Sequence, residues 1–250
     1  MAGLEVTGLV LRPLASSLAV LSDEEKQHGV VLLDVGAGTT DIAVYEGGVL
    51  RHVSVIAIGG NHVTGDIGIV LKLPFDEAER VKREHGAAVA RLARDEEIDV
   101  LMAGRERMRI PKRFVSEIVV PRVEEHLRIV SREIRDCGAS ESATYGIVLT
   151  GGAALLGGFD RLCEAVTGMP VRIGVPEGVG GHQEYVREPA YATAVGILLH
   201  DRPERDVQSD GSEDCPGSLE KTVSWARGIA EMIRSPGRLQ RVSSAIRKTG

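Results

Sequence analysis

The sequence predicts an α/β fold built on a mixed sheet. Short apolar runs that are typical of buried strands alternate along the chain with segments whose apolar residues recur every three or four positions, as they do in amphipathic helices. Glycine accounts for 30 of the 250 residues, above the usual fraction of about 7%, and glycines stand where several of the runs end. We therefore expect tight turns, or places where backbone approaches a ligand closely.

Three strands are predicted before residue 59. Val30–Val35 is a continuous apolar run that stops at Gly36-Ala37-Gly38. Two further runs, at 42–45 and 49–58, are separated by Glu46-Gly47-Gly48, which favours a hairpin. The pattern predicts one buried strand followed by two hairpin-linked strands.

Three helices are predicted next. Gly59-Gly60-Asn61 supplies a good cap for a helix that carries Ile67, Val70 and Leu71 on one face. A shorter helix spans 75–86, and a long amphipathic helix, bent at Pro121, spans 111–136.

The remaining elements of the body are a strand over 146–150, a helix through 162–166 that ends at Gly168, a strand over 171–173 and a closing helix over 189–199. We expect residues 1–200 to form one body, with a smaller subdomain at about 61–137.

Composition and charge argue against several classes of protein. A net charge of −6 argues against a nucleic-acid binder, which needs clustered Lys and Arg. The three cysteines are odd in number and have no CxxC spacing, which favours reduced thiols over disulfides or a zinc site. No apolar stretch is long enough to cross a bilayer and the start lacks a signal-like core, so we expect a cytoplasmic protein.

The last fifty residues differ from the body. Residues 201–218 are acidic and rich in Asp, Ser, Pro and Gly, as expected of a flexible linker. Residues 219–250 carry surplus positive charge and an apolar stripe, which favours a helix lying on an anionic membrane surface over one that packs on the body. The residues predicted to contact the membrane are Leu219, Val223, Trp225, Ile229 and Ile233.

The segment VVLLDVGAGTTD, at 30–41, is the first candidate site. Asp34 closes a buried strand, and small residues follow whose backbone N–H groups can surround phosphate oxygens, while the carboxylate suits Mg²⁺ or its waters. An ordinary hairpin turn with a capping Asp is an equally good interpretation. The residues of the predicted phosphate turn are Asp34, Gly36, Gly38, Thr39 and Thr40.

Two other segments are candidates. Gly151, Gly152 and Ala153 follow a strand and would let a flat ring lie against backbone, or would simply form a turn that needs positive φ. Glu79, Lys82 and Arg83 share one helix face. Their alternative interpretation is a Glu79–Arg83 surface ion pair without function.

Together and in this order, these segments resemble the actin, Hsp70 and sugar-kinase superfamily and, within it, the FtsA family of bacterial cell-division proteins. The similar stretches include GVVLLDVGAGTTDIAVYEGG, DEAERVKREHG, SEIVVPRVEEHL, GIVLTGGAALLGGF and AYATAVGILLH, over roughly residues 3–200. The resemblance implies an actin-like nucleotide fold that binds ATP with Mg²⁺, with 34–40 as phosphate motif, 151–153 as adenosine motif and 79–83 as the adenosine-side helix.

The resemblance also implies partners. It predicts an adaptor that tethers the FtsZ ring at the septum, on the cytoplasmic face of the cell membrane, and that can self-associate. The FtsZ C-terminal tail would dock on the smaller subdomain, where the candidate residues are Arg109, Lys112, Arg113, Glu117 and Arg122.

One departure from the superfamily pattern is expected. The start, MAGLEVTGLVLRPLASSL, looks like the end of a missing first half that would carry the opposing phosphate motif. We therefore expect the closing helix to lack its usual partner and the chain alone to have no meaningful ATPase activity. The alternatives are an ATPase of another pathway, of pilus-assembly or chaperone type, and a non-functional fragment.

Overall fold

The centre of the computed structural model is a mixed sheet, and the described residues are 8–89, 96–102, 107–178 and 186–200. The strands are β1 Val30–Val35, β2 Thr40–Glu46, β3 Val49–Ile56, β4 Glu97–Leu101, β5 Arg107–Pro111, β6 Ile147–Thr150 and β7 Val171–Ile173. The order in the central sheet is β3-β2-β1-β6-β7, while β4 and β5 form a separate hairpin. The pairs β1–β2 and β2–β3 are antiparallel, and β6 is parallel to both β1 and β7.

The helices lie on both faces of this sheet. They are α1 Arg12–Val20, α2 Asp23–His28, α3 Gly60–Leu71, α4 Phe75–His85, α5 Lys112–Asp136, α6 Ala139–Ser142, α7 Phe159–Thr167 and α8 Ala192–His200, with 3₁₀ turns at Gly152–Leu155 and Pro189–Tyr191. One core joins the sheet to α3, α4, α5 and α7, and the other joins it to α1 and α8. Every residue of β1 is buried, which explains its unbroken apolar run.

The expectation that the closing helix lacks a partner is wrong. Helix α1 packs against α8 so closely that a Cβ built on Gly196 would lie 1.7 Å from the carbonyl oxygen of Ala15. Part of the stretch predicted to be the end of a missing half, from Arg12 onward, therefore forms this partner. Helix α2 follows, with a capping box between Ser22 and Glu25.

The start of α3 lies within the predicted cap, Gly59-Gly60-Asn61. Gly59 occupies the N-cap position, and Asn61 lies in the first turn. The N–H groups of Gly60 and Asn61 donate to the carbonyl oxygens of Gly36 and Ala37, at 3.0 and 2.7 Å. Backbone of the turn after β1 therefore caps this helix in place of a side chain.

The predicted linker at 201–218 and membrane segment at 219–250 lie outside the described residues. None of the helices within the described ranges has the length and apolar character needed to cross a membrane.

Candidate functional site

A cavity of about 480 Å³ opens where the turn after β1 meets α3, α4 and the double glycine after β6. Six of the predicted site residues line it, namely Gly36, Glu79, Lys82, Arg83, Gly152 and Ala153. Segments that are far apart in the sequence thus meet as the walls of one cavity.

The turn at 36–39 is fixed by its own backbone. The N–H of Gly36 donates to the carbonyl oxygen of Thr39 at 2.9 Å, and the carbonyl groups of Gly36 and Ala37 accept from α3. Gly59 must be glycine, because a Cβ there would lie 2.6 Å from the oxygen of Gly36. This packing holds the turn against α3 at the edge of the cavity.

Asp34 lies buried behind the turn and is 4% exposed. Its carboxylate accepts hydrogen bonds from Ser16 and from Thr193, the latter at 3.1 Å. These hydroxyls come from α1 and α8, so Asp34 joins the two packed helices to the end of β1. The Asp34 carboxylate is therefore a structural hydrogen-bond acceptor.

Asp41 is directly opposite Asp34 in the β1–β2 ladder and is a second carboxylate near the turn. Burial raises its pKa, although the hydrogen bond and positive charge of Arg12 act in the opposite direction. The Arg12 guanidinium also donates to Thr39. Both carboxylates near the turn therefore already have protein partners.

Besides Asp34, three residues of the predicted phosphate turn stay outside the cavity wall. Gly38 is exposed, and the Thr39 hydroxyl bonds to Arg12. Thr40 is fully buried, and its hydroxyl donates to the carbonyl oxygen of Ile58 at 2.8 Å and contacts His126 at 2.7 Å. The side chains of Thr39 and Thr40 therefore hold the turn in place.

Two of the three residues predicted on α4, Glu79 and Lys82, form a compact polar network with Thr64. Lys82 Nζ donates to Glu79 at 2.6 Å, to Thr64 at 2.8 Å and to the carbonyl oxygen of Gly60 at 3.2 Å. Burial alone would raise the pKa of Glu79, but hydrogen bonds from Lys82 and Thr64 lower it overall. The ion pair of Glu79 is thus with Lys82, while Arg83 remains exposed at the cavity.

The two glycines after β6 have different roles. Gly151 has φ +87°, and a Cβ there would lie 2.5 Å from Asp34 Oδ1, so glycine is required by both conformation and space. A Cβ on Gly152 would meet no atom within 4 Å. Gly151 allows the turn, and Gly152 keeps the cavity wall free of a side chain.

Several cavity residues were not predicted from the sequence, among them His126, Leu155, Glu188 and Tyr191. The His126 pKa is lowered to about 4, chiefly by burial and also by the neighbouring His62, which keeps the imidazole neutral. A histidine within the apolar stripe of α5 was the available sequence signal. Tyr191 lies in the stretch AYATAVGILLH, but its place at the cavity depends on the hydrogen bonds that join Pro189 to Thr150 and Gly151.

The carboxylates near the turn could contribute to a metal site only together with waters and the phosphates of a ligand. In the described ranges no three His, Cys, Asp or Glu side chains are grouped so that they could hold a metal ion. Mg²⁺ is commonly bound by one or two carboxylates together with waters and substrate phosphates. Asp34 and Asp41 are compatible with that second arrangement.

The five predicted partner residues are spread over two places. Arg109 on β5 pairs with Asp99, and Lys112 at the start of α5 pairs with Glu96, with Arg113 next to it. Glu117 and Arg122 instead line a groove of about 340 Å³ between α3 and α5. Arg122 there makes a two-point contact with Asp66 and also bonds Glu125.

The same groove exposes apolar side chains. Ile69 is 78% exposed and Val70 is 50% exposed, and both line the groove with Ile118 and Pro121. The groove is therefore an apolar strip with charged sides. The sequence predicted Glu117 and Arg122 there, but it grouped Val70 with the residues Ile67 and Leu71, which are buried whereas Val70 is exposed.

The match to a family model and the matches to individual curated proteins point to the same family. Residues 31–196 match the family described as "Cell division protein FtsA". The chain is 40% identical over 240 residues to the cell division protein FtsA of Pseudomonas aeruginosa, which covers 90% of this chain and 57% of that protein. For the Escherichia coli K12 protein of the same name the identity is 37% over 239 residues, with the same coverage. The chain thus spans a little over half the length of these relatives.

The fold is also found among solved structures. MreB5 of Spiroplasma citri, in a crystal structure bound to ADP, superposes with a TM-score of 0.66 at 18% identity, over 80% of this chain and 61% of that one. At this identity the similarity concerns the fold alone. The predicted α/β class and actin-like fold are confirmed.

Proposed function

The chain belongs to the FtsA family of cell division proteins, and from that membership we propose that its cavity binds ATP with Mg²⁺. The observation that carries this proposal is the convergence of Gly36, Lys82, Arg83 and Gly152 on one cavity. Backbone of the turn would face the phosphates, and the wall at Gly152 would accept the nucleoside. Mg²⁺ would arrive with the phosphates and neutralise their charge, with Asp34 and Asp41 near enough to the turn to hold its waters.

The absence of a side chain at Gly152 offers a sharp test. Gly152→Leu puts a side chain into the cavity without a clash at its Cβ, so the fold should persist while the ligand is excluded. The matched control is Gly65→Leu on α3, where a Cβ also meets no atom within 4 Å. Equilibrium dialysis with Mg²⁺-ATP should show binding to the wild type and to the control, and none to Gly152→Leu. Equal binding by all three would place the nucleotide elsewhere.

We propose nucleotide binding, rather than rapid turnover, as the role of this chain by itself. Asp34 is bonded to Ser16 and Thr193, and Asp41 is bonded to Arg12, so neither carboxylate near the turn is free to activate a water. We expect no Mg²⁺-dependent phosphate release above the buffer rate. Release that disappears in Asp34→Ala would contradict this.

We further propose that the chain acts as an FtsZ adaptor and that the groove between α3 and α5 receives the FtsZ C-terminal tail. The support is an exposed apolar strip beside the predicted Glu117 and Arg122. A labelled tail peptide should bind the wild type, and Ile69→Lys should abolish binding because it places a charge in the strip. Ile129→Lys changes an exposed isoleucine outside the groove and should bind normally. Binding that survives Ile69→Lys would exclude the groove.

Membrane attachment by residues 219–250 is the third part of the proposal. The chain contains one tryptophan, Trp225, within this segment. Its emission should shift to the blue with vesicles of anionic lipid at low salt, less at high salt, and not at all with neutral vesicles. An unchanged spectrum with anionic vesicles would contradict attachment. Such attachment would put the adaptor on the cytoplasmic face of the membrane at the septum, where self-association could follow.

A further inference from the structure

An aromatic side chain stands exposed at the nucleotide cavity. Tyr191 is 45% exposed and lines the cavity together with Leu155, which is 56% exposed. Among the described residues, the Tyr191 hydroxyl has no hydrogen-bond partner. Water therefore covers apolar surface on both side chains that a ligand in the cavity could cover instead.

The backbone that carries Tyr191 is tied to the double glycine. The carbonyl oxygen of Pro189 accepts from the N–H of Gly151 at 3.1 Å and from the Thr150 hydroxyl at 3.2 Å. The N–H of Tyr191 donates to Glu188 at 3.0 Å, which closes the 3₁₀ turn. Tyr191 is therefore attached to the same strand end that carries Gly152, and its position relative to the open wall is fixed.

The geometry points to Tyr191 as the residue that contacts the nucleoside base and makes the cavity selective for a planar aromatic ring. Gly152 supplies a flat wall with no side chain, Leu155 supplies apolar contact, and Tyr191 supplies an aromatic ring. Base–aromatic stacking is favourable with any base, because every base has a π-face. This inference rests on the proposed nucleotide site and adds the recognition of its base.

The test compares Tyr191→Ala, Tyr191→Phe and Tyr145→Ala in the full chain. Tyr145 is 39% exposed, does not line the cavity and donates to Glu24 at 2.7 Å, so it is a matched surface tyrosine. Two probes are used with Mg²⁺, namely ATP and the triphosphate of 2-aminopurine riboside, whose fluorescence falls when the base stacks on an aromatic ring. Thermal unfolding midpoints check that the variants are folded.

We expect Tyr191→Ala to bind ATP about tenfold more weakly, within the usual range for base stacking. Each protein is added until the 2-aminopurine probe is fully bound. The fluorescence of the bound probe should be quenched by the wild type, Tyr191→Phe and Tyr145→Ala but not by Tyr191→Ala. If the wild type binds both probes and Tyr191→Ala binds ATP with the same affinity and quenches 2-aminopurine equally, this inference is overturned. The nucleotide site itself would then still be supported. Failure of the wild type to bind either probe would overturn the nucleotide site and this inference with it.

Discussion

His126 donates its Nε2 hydrogen to the hydroxyl oxygen of Thr40, across 2.7 Å. The direction follows from proton counting, because the single hydroxyl hydrogen of Thr40 goes to the carbonyl oxygen of Ile58. The neutral tautomer of His126 therefore carries its hydrogen on Nε2. This bond ties the long helix α5 to the strand that follows the phosphate turn.

Stability should depend on the charge of this histidine. Its pKa is about 4 in the folded chain and 6.5 in the reference state, so the unfolded chain binds more protons between those pH values. The contribution is complete above pH 6.5 and is lost as pH falls toward 4, by about 3 kcal/mol in total. Denaturant unfolding at a series of pH values should show this loss, and His126→Gln should lack it. Parallel pH profiles for the two proteins would contradict the burial of a neutral imidazole.

Asp34 should stabilise the chain in the absence of any ligand. Asp34→Ala removes the acceptor for Ser16 and Thr193 and should lower the free energy of unfolding by about 2 kcal/mol. Asp34→Asn keeps one acceptor oxygen and should lose less. Denaturant melts without nucleotide measure both. An Asp34→Ala variant as stable as the wild type would mean that the carboxylate serves ligands alone.

The crossing of α1 and α8 should tolerate no side chain at Gly196. A Cβ there would lie 1.7 Å from the carbonyl oxygen of Ala15, so Gly196→Ala must separate the helices and should cost about 3 kcal/mol or more. Gly65→Ala on α3 has open space and should stabilise by about 0.5–1 kcal/mol. Thermal unfolding compares the two. Equal midpoints for the two variants would contradict the observed packing.

Substitutions of Lys82 and Arg83 on α4 should have different effects on stability and on ATP binding. Lys82→Met removes donors to Glu79, Thr64 and Gly60 and should lower the free energy of unfolding by about 1–3 kcal/mol. Arg83→Ala should leave stability unchanged but weaken ATP binding, because Arg83 is exposed at the cavity. Calorimetry of unfolding and of ATP binding separates the effects. Loss of stability in Arg83→Ala, with normal binding, would reverse the assigned roles.

Sequence reasoning succeeded where one local pattern determined the element. β1 is buried throughout and shows an unbroken apolar run, and α5 buries one regular stripe over 25 residues. Helix α1 was not predicted because its buried face includes Ser16 and Ser17, which bond to Asp34 and Tyr45 and interrupt the apolar period. The two serines can be buried because their hydroxyl groups hydrogen-bond to residues that are distant in the sequence.

The same distinction applies to the site. The order of the motifs predicted that the turn, α4 and the double glycine belong to one site. In the structure, Gly36, Lys82 and Gly152 lie around one cavity. Thr40 was predicted as part of the phosphate turn, but it is buried and its hydroxyl bonds to Ile58 and His126, which anchors the turn to the core. Which atoms of a loop remain available to a ligand depends on tertiary contacts that spacing alone does not encode.

The most direct measurement is a crystal structure of the full chain grown with Mg²⁺ and a non-hydrolysable ATP analogue. Phosphate oxygens lying against backbone at 36–37, with the nucleoside over Gly152, are the predicted result. Density for the analogue at another surface, or an empty cavity at analogue concentrations that saturate the chain in solution, would contradict the assignment of this cavity as the nucleotide site.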